Sequence, residues 1–401
     1  MMTVKTLENG FKIYIMKKHG FIEKQAMLAV RFGSDISLFS TENGEYSLPL
    51  GTAHFIEHKM FASPDGNFMA DFSKKGAEAN AFTSFDITAY YFTCRENFYK
   101  NLSLLLKMLS TPYFTENGIQ SERGIIEKEI NMYRDDIRWK CFFALLRRMY
   151  ADMSVSSFIA GTEEEIAKIT PEIMYNCYYS FYTPDRMALI VAGDVDEDKI
   201  CETAAEHLKL RQNKGVKILC DAKNSLIKEN TKDVYIDADI MQPLFYCGLK
   251  YPSGNITAES VIKTKLFLEL LAGDCSALYE SLLNKGLTEE PLSYEYLKGG
   301  DYNACFISGT TNSPEAVKNE ITEHLYKLNE NDTTLAAKKL KGKLIMQQDN
   351  ISSVCQTVAD CFAKNIDYLD ILNLYDKMDK EMNFSFDGPE DVFMSVIGGK
   401  R

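Results

Sequence analysis

Apolar and polar residues alternate along "GFKIYIMKK" and again along "QAMLAVRFGS", the two-residue period of half-buried strands. A polar, turn-rich stretch follows from Gly33 to Gly51. Leu50 to Phe61 then reads as a short helix, with Pro49 and Gly51 near its start and Pro64 past its end. "FMADFSKKGA" predicts a second helix ending near Gly76. "NAFTSFDITAYYFTC", rich in β-branched and aromatic residues, predicts paired strands turning near Phe85 and Asp86. Glu96 to Leu109 has the spacing of an amphipathic helix, and Pro112 breaks the chain after it. One long helix is predicted from about Glu116 to Tyr150, capped by Thr115. "MALIVAGDVDEDKI" reads as a buried strand, a turn and a helix start, and Glu202 to Leu210 as helical.

The pattern then changes. Gln212 to Asp233 is polar and rich in Lys, Asn and Asp, as a linker is. Beyond it the outline of the first half returns. "VYIDADIMQPLFYCGLKYP" supplies two strands, "SVIKTKLFLELLAG" and "SALYESLLN" two helices, and "YNACFISGTT" another strand. Helices continue to about Lys377. The expected organisation is a duplicated α/β unit: residues 1–211, a linker over 212–233, and residues 234–401. A length of 401 residues with 45% hydrophobic composition suffices for two cores of about 200 residues each.

Charge narrows the function classes. The formal net charge is −12, and no long Lys/Arg cluster offers a footprint for phosphates, so nucleic acid is not an expected partner. No run approaches the roughly 18 apolar residues of a membrane span, and the first residues lack a signal-peptide core, so no membrane partner is expected either. Ten cysteines are scattered without a C-x-x-C pair. They read as small, reduced, half-buried residues of a cytoplasmic protein.

Candidate chemistry sits in "TAHFIEHKMF", residues 52–61. The chain has five histidines, and two of them fall here. On a helix, His54 and His58 share one face and can reach one cation. Glu57 lies on a neighbouring part of that face, too close in sequence to complete the same tetrahedron. It is well placed to hydrogen-bond a water beside the cation. The order H-x-x-E-H is a zinc-hydrolase signature. A zinc hydrolase needs three protein ligands and an open position. His19, His207 and His324 lie among solvated charges, so a carboxylate is the expected third ligand. "SERGIIEKEINMYRDD" offers Glu122 and Glu129, two helical turns and roughly 10 Å apart. Only one can touch the metal, and the other is left to orient a ligand. Spacing alone does not rank them. The plain alternative is a structural helix with solvated histidines.

His54-Phe55-Ile56-Glu57-His58, followed by Glu122-Arg123 and Glu129, resembles the pitrilysin/insulinase/mitochondrial processing peptidase family, the inverzincins. "LENGFKIYIMKK", "NAFTSFDITAYYF" and "YTPDRMALIVAGDVD" are similar to further family segments, with Arg186 standing where the family usually has Asn. The resemblance covers nearly the whole chain and is strongest through residue 200. It implies an α+β fold class: two homologous domains, each a mostly antiparallel sheet with helices packed on one face, together half of a clam-shell chamber. It implies Zn2+ held by His54, His58 and Glu129, with Glu122 as the supporting acid. Glu57 is then the general base of peptide hydrolysis. Asn80, Ala81, Phe82 and Thr83 match the segment that pairs with an extended peptide substrate.

Short bacterial members of the family often work in pairs. A metal-free subunit of the pair supplies Arg and Tyr from an R-G-L-x-Y motif. Here the matching stretch is Lys285-Gly286-Leu287-Thr288-Glu289, and Tyr294 and Tyr296 come too late for a clean match. Lysine does not replace a bidentate arginine. The expectation is therefore the zinc subunit of a heterodimeric, peptide-processing endopeptidase. The alternatives are a homodimer, a non-catalytic assembly subunit of the same fold, and a hydrolase of a non-peptide substrate.

Overall fold

The structure is a computed structural model that describes residues 2–151, 153–208, 215–219, 233–328, 333–378 and 386–398. The elements of the first half run β1 (Met2–Thr6), β2 (Lys12–Lys17), β3 (Lys24–Val30), β4 (Leu38–Thr41), β5 (Gly44–Ser47), α1 (Thr52–Lys59), β6 (Ala62–Ser63), β7 (Gly66–Asn67), α2 (Phe68–Lys74), β8 (Ala77–Thr83), β9 (Thr88–Cys94), α3 (Phe98–Ser110), α4 (Glu116–Asp135), α5 (Ile137–Met149), α6 (Glu163–Ile166), α7 (Pro171–Phe181), β10 (Met187–Gly193) and α8 (Glu197–His207). The second half continues with β11 (Lys217–Ile218), β12 (Asp233–Asp237), β13 (Leu244–Lys250), α9 (Ala258–Ala272), α10 (Ala277–Asn284), β14 (Ser293–Lys298), β15 (Asn303–Thr310), α11 (Pro314–Lys327), α12 (Thr334–Gln348), α13 (Ile351–Ala363), α14 (Tyr368–Lys377) and β16 (Asp391–Gly398).

Six strands form the first large sheet in the order β1-β2-β10-β3-β9-β8. β2 and β10 pair in parallel, and every other neighbouring pair is antiparallel. The second large sheet has the order β12-β16-β13-β15-β14, with β12 and β16 parallel and the rest antiparallel. Strand for strand, this is the first sheet without β1. The duplication expected from the hydrophobic pattern is thus present as shared α+β topology. A three-stranded ribbon, β11-β4-β5, accompanies the first sheet.

Alternation along the strands builds the first core. Ile13, Ile15, Ala26, Leu28, Val30, Tyr90, Phe92, Leu189 and Val191 face the same side and are buried with α1, α2 and α3. The intervening residues of β3 and β10 face α13 instead. Arg31 Nε donates to the Phe362 carbonyl at 2.8 Å, and its guanidinium lies 4.1 Å from the Phe362 ring. Lys364, just past α13, reaches Asp86 in the β8–β9 turn at 2.9 Å. With both faces covered, β10 is buried along its whole length and reads as a continuous apolar run.

α13 comes from the second half of the sequence, yet it belongs to the first compact unit. That unit comprises residues 1–131, 157–221 and 347–365; the second comprises 132–156, 222–346 and 366–401. The exchange is mutual. α5, from the first half, packs on β12, β13 and β16. Its Cys141 is buried there, with the thiol 3.3 Å from the Ser395 carbonyl. Each unit therefore takes one helix from the other half of the chain, and the compact units are not consecutive halves of the sequence.

Three local expectations change. The long helix over 116–150 is two helices. The chain breaks at Asp136, whose carboxylate accepts the Arg138 and Trp139 amides and starts α5 as a capped helix of its own. Gly33 to Gly51, expected as a polar, turn-rich stretch, contains the paired strands β4 and β5. β16 lies beyond the last element expected from the sequence and is nonetheless an interior strand of the second sheet. Most of the expected linker, 212–233, lies outside the described residues. Within it, β11 pairs with β4 through Lys217 and Ser40.

Candidate metal centre

α1 is only eight residues long, has no side-chain cap and carries no acid in its first turn. A helix this short does not stand alone in water. Packing holds it: Phe55 and Ile56 are fully buried, and the helix lies against β8 and β9. Gly51 starts it with φ +88°, and a Cβ there would sit 2.4 Å from the Ala160 carbonyl oxygen. α4 is mostly polar, but Ile119, Ile126 and Ile130 form one buried stripe. That stripe fixes its rotation. Glu122 and Glu129 each follow a stripe isoleucine by three residues, and both reach the histidine face of α1.

The two rings of α1 lie 4.6 Å apart. Nε2 of His54 and Nε2 of His58 are each 3.4 Å from an oxygen of Glu129. On the far side of the second ring, His58 Nδ1 is 3.1 Å from Glu122 Oε1, and Lys59 Nζ is 3.3 Å from Glu122 Oε2. Glu57 is 8% exposed and accepts a hydrogen bond from the Thr83 hydroxyl at 2.7 Å. The structure thus brings together His54, Glu57, His58, Glu122, Glu129 and Thr83. Asn80, Ala81 and Phe82 lie beside them on β8, the edge strand of the sheet.

The donor set fits a metal. His54, His58 and Glu129 each offer a ligand atom, all within 4.8 Å of one another, and they are the one such group among the described residues. A tetrahedral zinc ion with bonds of about 2.0–2.1 Å has ligand–ligand edges of about 3.3 Å. The observed 3.4 Å is longer than a good N–H···O hydrogen bond and close to that edge. The two rings are supported differently. Glu122 holds the His58 ring through Nδ1, whereas His54 Nδ1 is buried with no hydrogen-bond partner among the described residues.

Electrostatics separates the three carboxylates. Burial pushes Glu57 above its ordinary pKa, against His54 and the Thr83 hydroxyl, which act to lower it. Glu129 is held well below the carboxylate range by His54 and His58. Glu122 is also lowered, first by His58 and then, against its burial, by Lys59. For His58, burial acts downward, but Glu122 and Glu129 outweigh it and push the imidazole up to about 10.

Two features of the site escape sequence reasoning. Lys59 is buried in α1 beside the motif. A buried lysine requires a carboxylate, so its presence next to His58 is a signal that could have been read. Tyr90 and Tyr182 share a buried hydroxyl–hydroxyl hydrogen bond of 2.7 Å, and both feel the Glu57 charge. They are far apart in sequence, and no pattern joins them. In the second unit, Lys285 forms an ion pair with Glu320, and the Tyr294 hydroxyl donates to Glu269 at 2.5 Å.

Comparison with known proteins agrees with the fold. Residues 42–163 match the family "Insulinase (Peptidase family M16)", and residues 168–338 match "Peptidase M16 inactive domain". The chain belongs to the M16, or insulinase, family of peptidases and is of its short two-domain type. It is 35% identical over 356 residues to the uncharacterized zinc protease YmfH of Bacillus subtilis, across 84% of this chain and 82% of that protein. An M16-like peptidase of Alicyclobacillus acidocaldarius has a similar structure, with a TM-score of 0.88 and 26% identity over 99% of this chain and 98% of that one. A chain of complex III from Candida albicans shares the fold at a TM-score of 0.73 and 13% identity, over 99% of this chain and 95% of that one.

Proposed function

We propose that this chain is a zinc-dependent endopeptidase acting on short flexible or unfolded peptides. The observation that carries the reading is the convergence of His54, His58 and Glu129 around one point, with Glu57 on the same helix. His54, His58 and Glu129 hold the zinc ion. When bound, zinc polarises the scissile carbonyl and acidifies water. Glu57 takes the proton from the attacking water and returns it to the leaving amine. Glu122 accepts from His58 Nδ1–H and keeps Nε2 facing the site. β8 offers its free edge to an extended peptide along Asn80 to Thr83, where main-chain pairing demands little of the sequence.

The chain is proposed to be the catalytic subunit of a heterodimeric peptide-processing protease, for example one that removes leader peptides. A metal-free partner of the same family supplies the Arg and Tyr. Lys285 supports this: it stands at the arginine position and is engaged by Glu320. A cytoplasmic location fits the nine cysteines among the described residues, none of which forms a disulfide there. No helix of the described residues is long and apolar enough to cross a membrane.

Zinc content is measured together with turnover of a quenched flexible peptide, for this chain alone and mixed with a related metal-free subunit. The expected result is zinc in this chain and cleavage only in the mixture. Cleavage by the chain alone would remove the partner requirement. A chain without zinc in either condition would be a non-catalytic assembly subunit.

A further inference from the structure

We infer that Thr83 is a positioning residue for Glu57, so that the edge strand offered to the peptide also holds the base. The inference rests on the proposed peptidase reading and changes the role expected for Thr83, which was substrate contact.

The Glu57 carboxylate is nearly buried, and Thr83 is its one hydrogen-bond partner among the described residues. The hydroxyl donates to Oε2 at 2.7 Å. Oε1 keeps its lone pairs for a water. The anchor is stiff. Thr83 is the last residue of β8 and pairs with Thr88 across the hairpin, and a β-branched side chain has little χ1 freedom. Strand parity explains the reach. Ala77, Ala79, Ala81 and Thr83 share the face turned to α1, and the first three are alanines. Such a face lets the helix come close enough for a three-atom side chain to reach a carboxylate. Asn80 and Phe82 point the other way. The backbone that would pair with substrate is therefore one short side chain away from the base. A peptide in register on β8 has its scissile bond placed relative to Glu57 without a separate positioning element.

The test compares Thr83→Val, which keeps the shape and removes the donor, with Thr83→Ser, which keeps the donor. Both are made in the full chain, loaded with zinc and assayed in whichever assembly cleaves. Thr83→Val is expected to lower kcat by about 10- to 100-fold with KM within about twofold and zinc content unchanged. Thr83→Ser is expected to recover most of that loss. A crystal structure of Thr83→Val is expected to show the Glu57 carboxylate rotated away, with His54 and His58 in place. Unchanged kcat, a loss carried by KM alone, or equal loss in the two variants would overturn the inference. If the wild-type chain holds zinc and cleaves no peptide, the peptidase reading falls. The crystal structure then still decides this one, because an unmoved carboxylate refutes it.

Discussion

Glu122 and Glu129 are the same side chain on the same helix, and only their neighbours separate them. Glu129 faces both Nε2 atoms, while Glu122 meets the rear nitrogen of His58 and the Lys59 ammonium. Three substitutions test the division. Glu129→Ala is expected to abolish zinc retention in metal analysis after dialysis. Glu122→Gln is expected to weaken zinc affinity by about 10- to 100-fold, measured by chelator competition. Glu57→Gln is expected to keep the metal and lower turnover by about 10²- to 10⁴-fold. Zinc uptake also carries a pH signature. In the metal-free chain, Glu122 and Glu129 outweigh burial and hold the His58 proton up to about 10. A cation displaces that proton, so affinity rises with pH, by about tenfold per unit below that point. Calorimetry in two buffers of different ionisation enthalpy counts the proton released. The stability of the metal-free chain runs the other way. A raised histidine pKa contributes fully below the ordinary value of 6.5 and is lost as pH rises through about 10. The histidine pair and its glutamate were legible as spacing on a helix face. Spacing did not rank the two acids, because the ranking depends on which nitrogen each one meets; only the family resemblance set Glu129 as the ligand. Thr83 shows the same boundary: its segment was readable, but the face its hydroxyl turns to is set by strand register.

At the scale of elements, the site depends on a helix that local propensity does not support. α1 begins where two backbones cross. Gly51 at φ +88° lies against Ala160, and Gly161 at φ +77° lies against Leu50. Gly51→Ala puts a Cβ 2.4 Å from a carbonyl oxygen in a left-handed conformation. A cost of about 2–4 kcal/mol is expected, together with weaker zinc retention, because the start of α1 must shift. Thermal unfolding with and without zinc measures both. A variant as stable as the wild type would mean that the 160–161 loop yields freely. Strands β2, β3, β8, β9 and β10 and helices α1, α2 and α3 were readable because their periods are strong, whereas β4 and β5 were hidden in a polar, turn-rich stretch. The break at Asp136 was not. A charged run of helical spacing hides a capping aspartate, whose effect appears only when the following helix packs elsewhere.

At the scale of the molecule, the mutual exchange of α5 and α13 was invisible to periodicity, which reports that a helix forms and not which sheet it covers. The duplicated topology was legible because each half repeats its strand pattern. Removing α13 should undo the first unit. Met27, Ala29, Ala188, Ile190 and Ala192 are at most 2% exposed, on the face α13 covers. A fragment of residues 1–211 is expected to aggregate or to bind hydrophobic dyes, and co-expression with residues 212–401 to restore a soluble complex. A monodisperse 1–211 fragment in gel filtration, with cooperative unfolding, would contradict this.

The exchange also sets a schedule for synthesis. About 160 residues separate the end of β10 from the start of α13. At roughly 5–20 residues per second, a ribosome needs about 10–30 s to cross that distance. Throughout this interval the first sheet lacks one of its covers, with its last interior strand already made. The nascent chain thus carries an exposed apolar face until α13 has been made. A slower ribosome lengthens that exposure instead of relieving it.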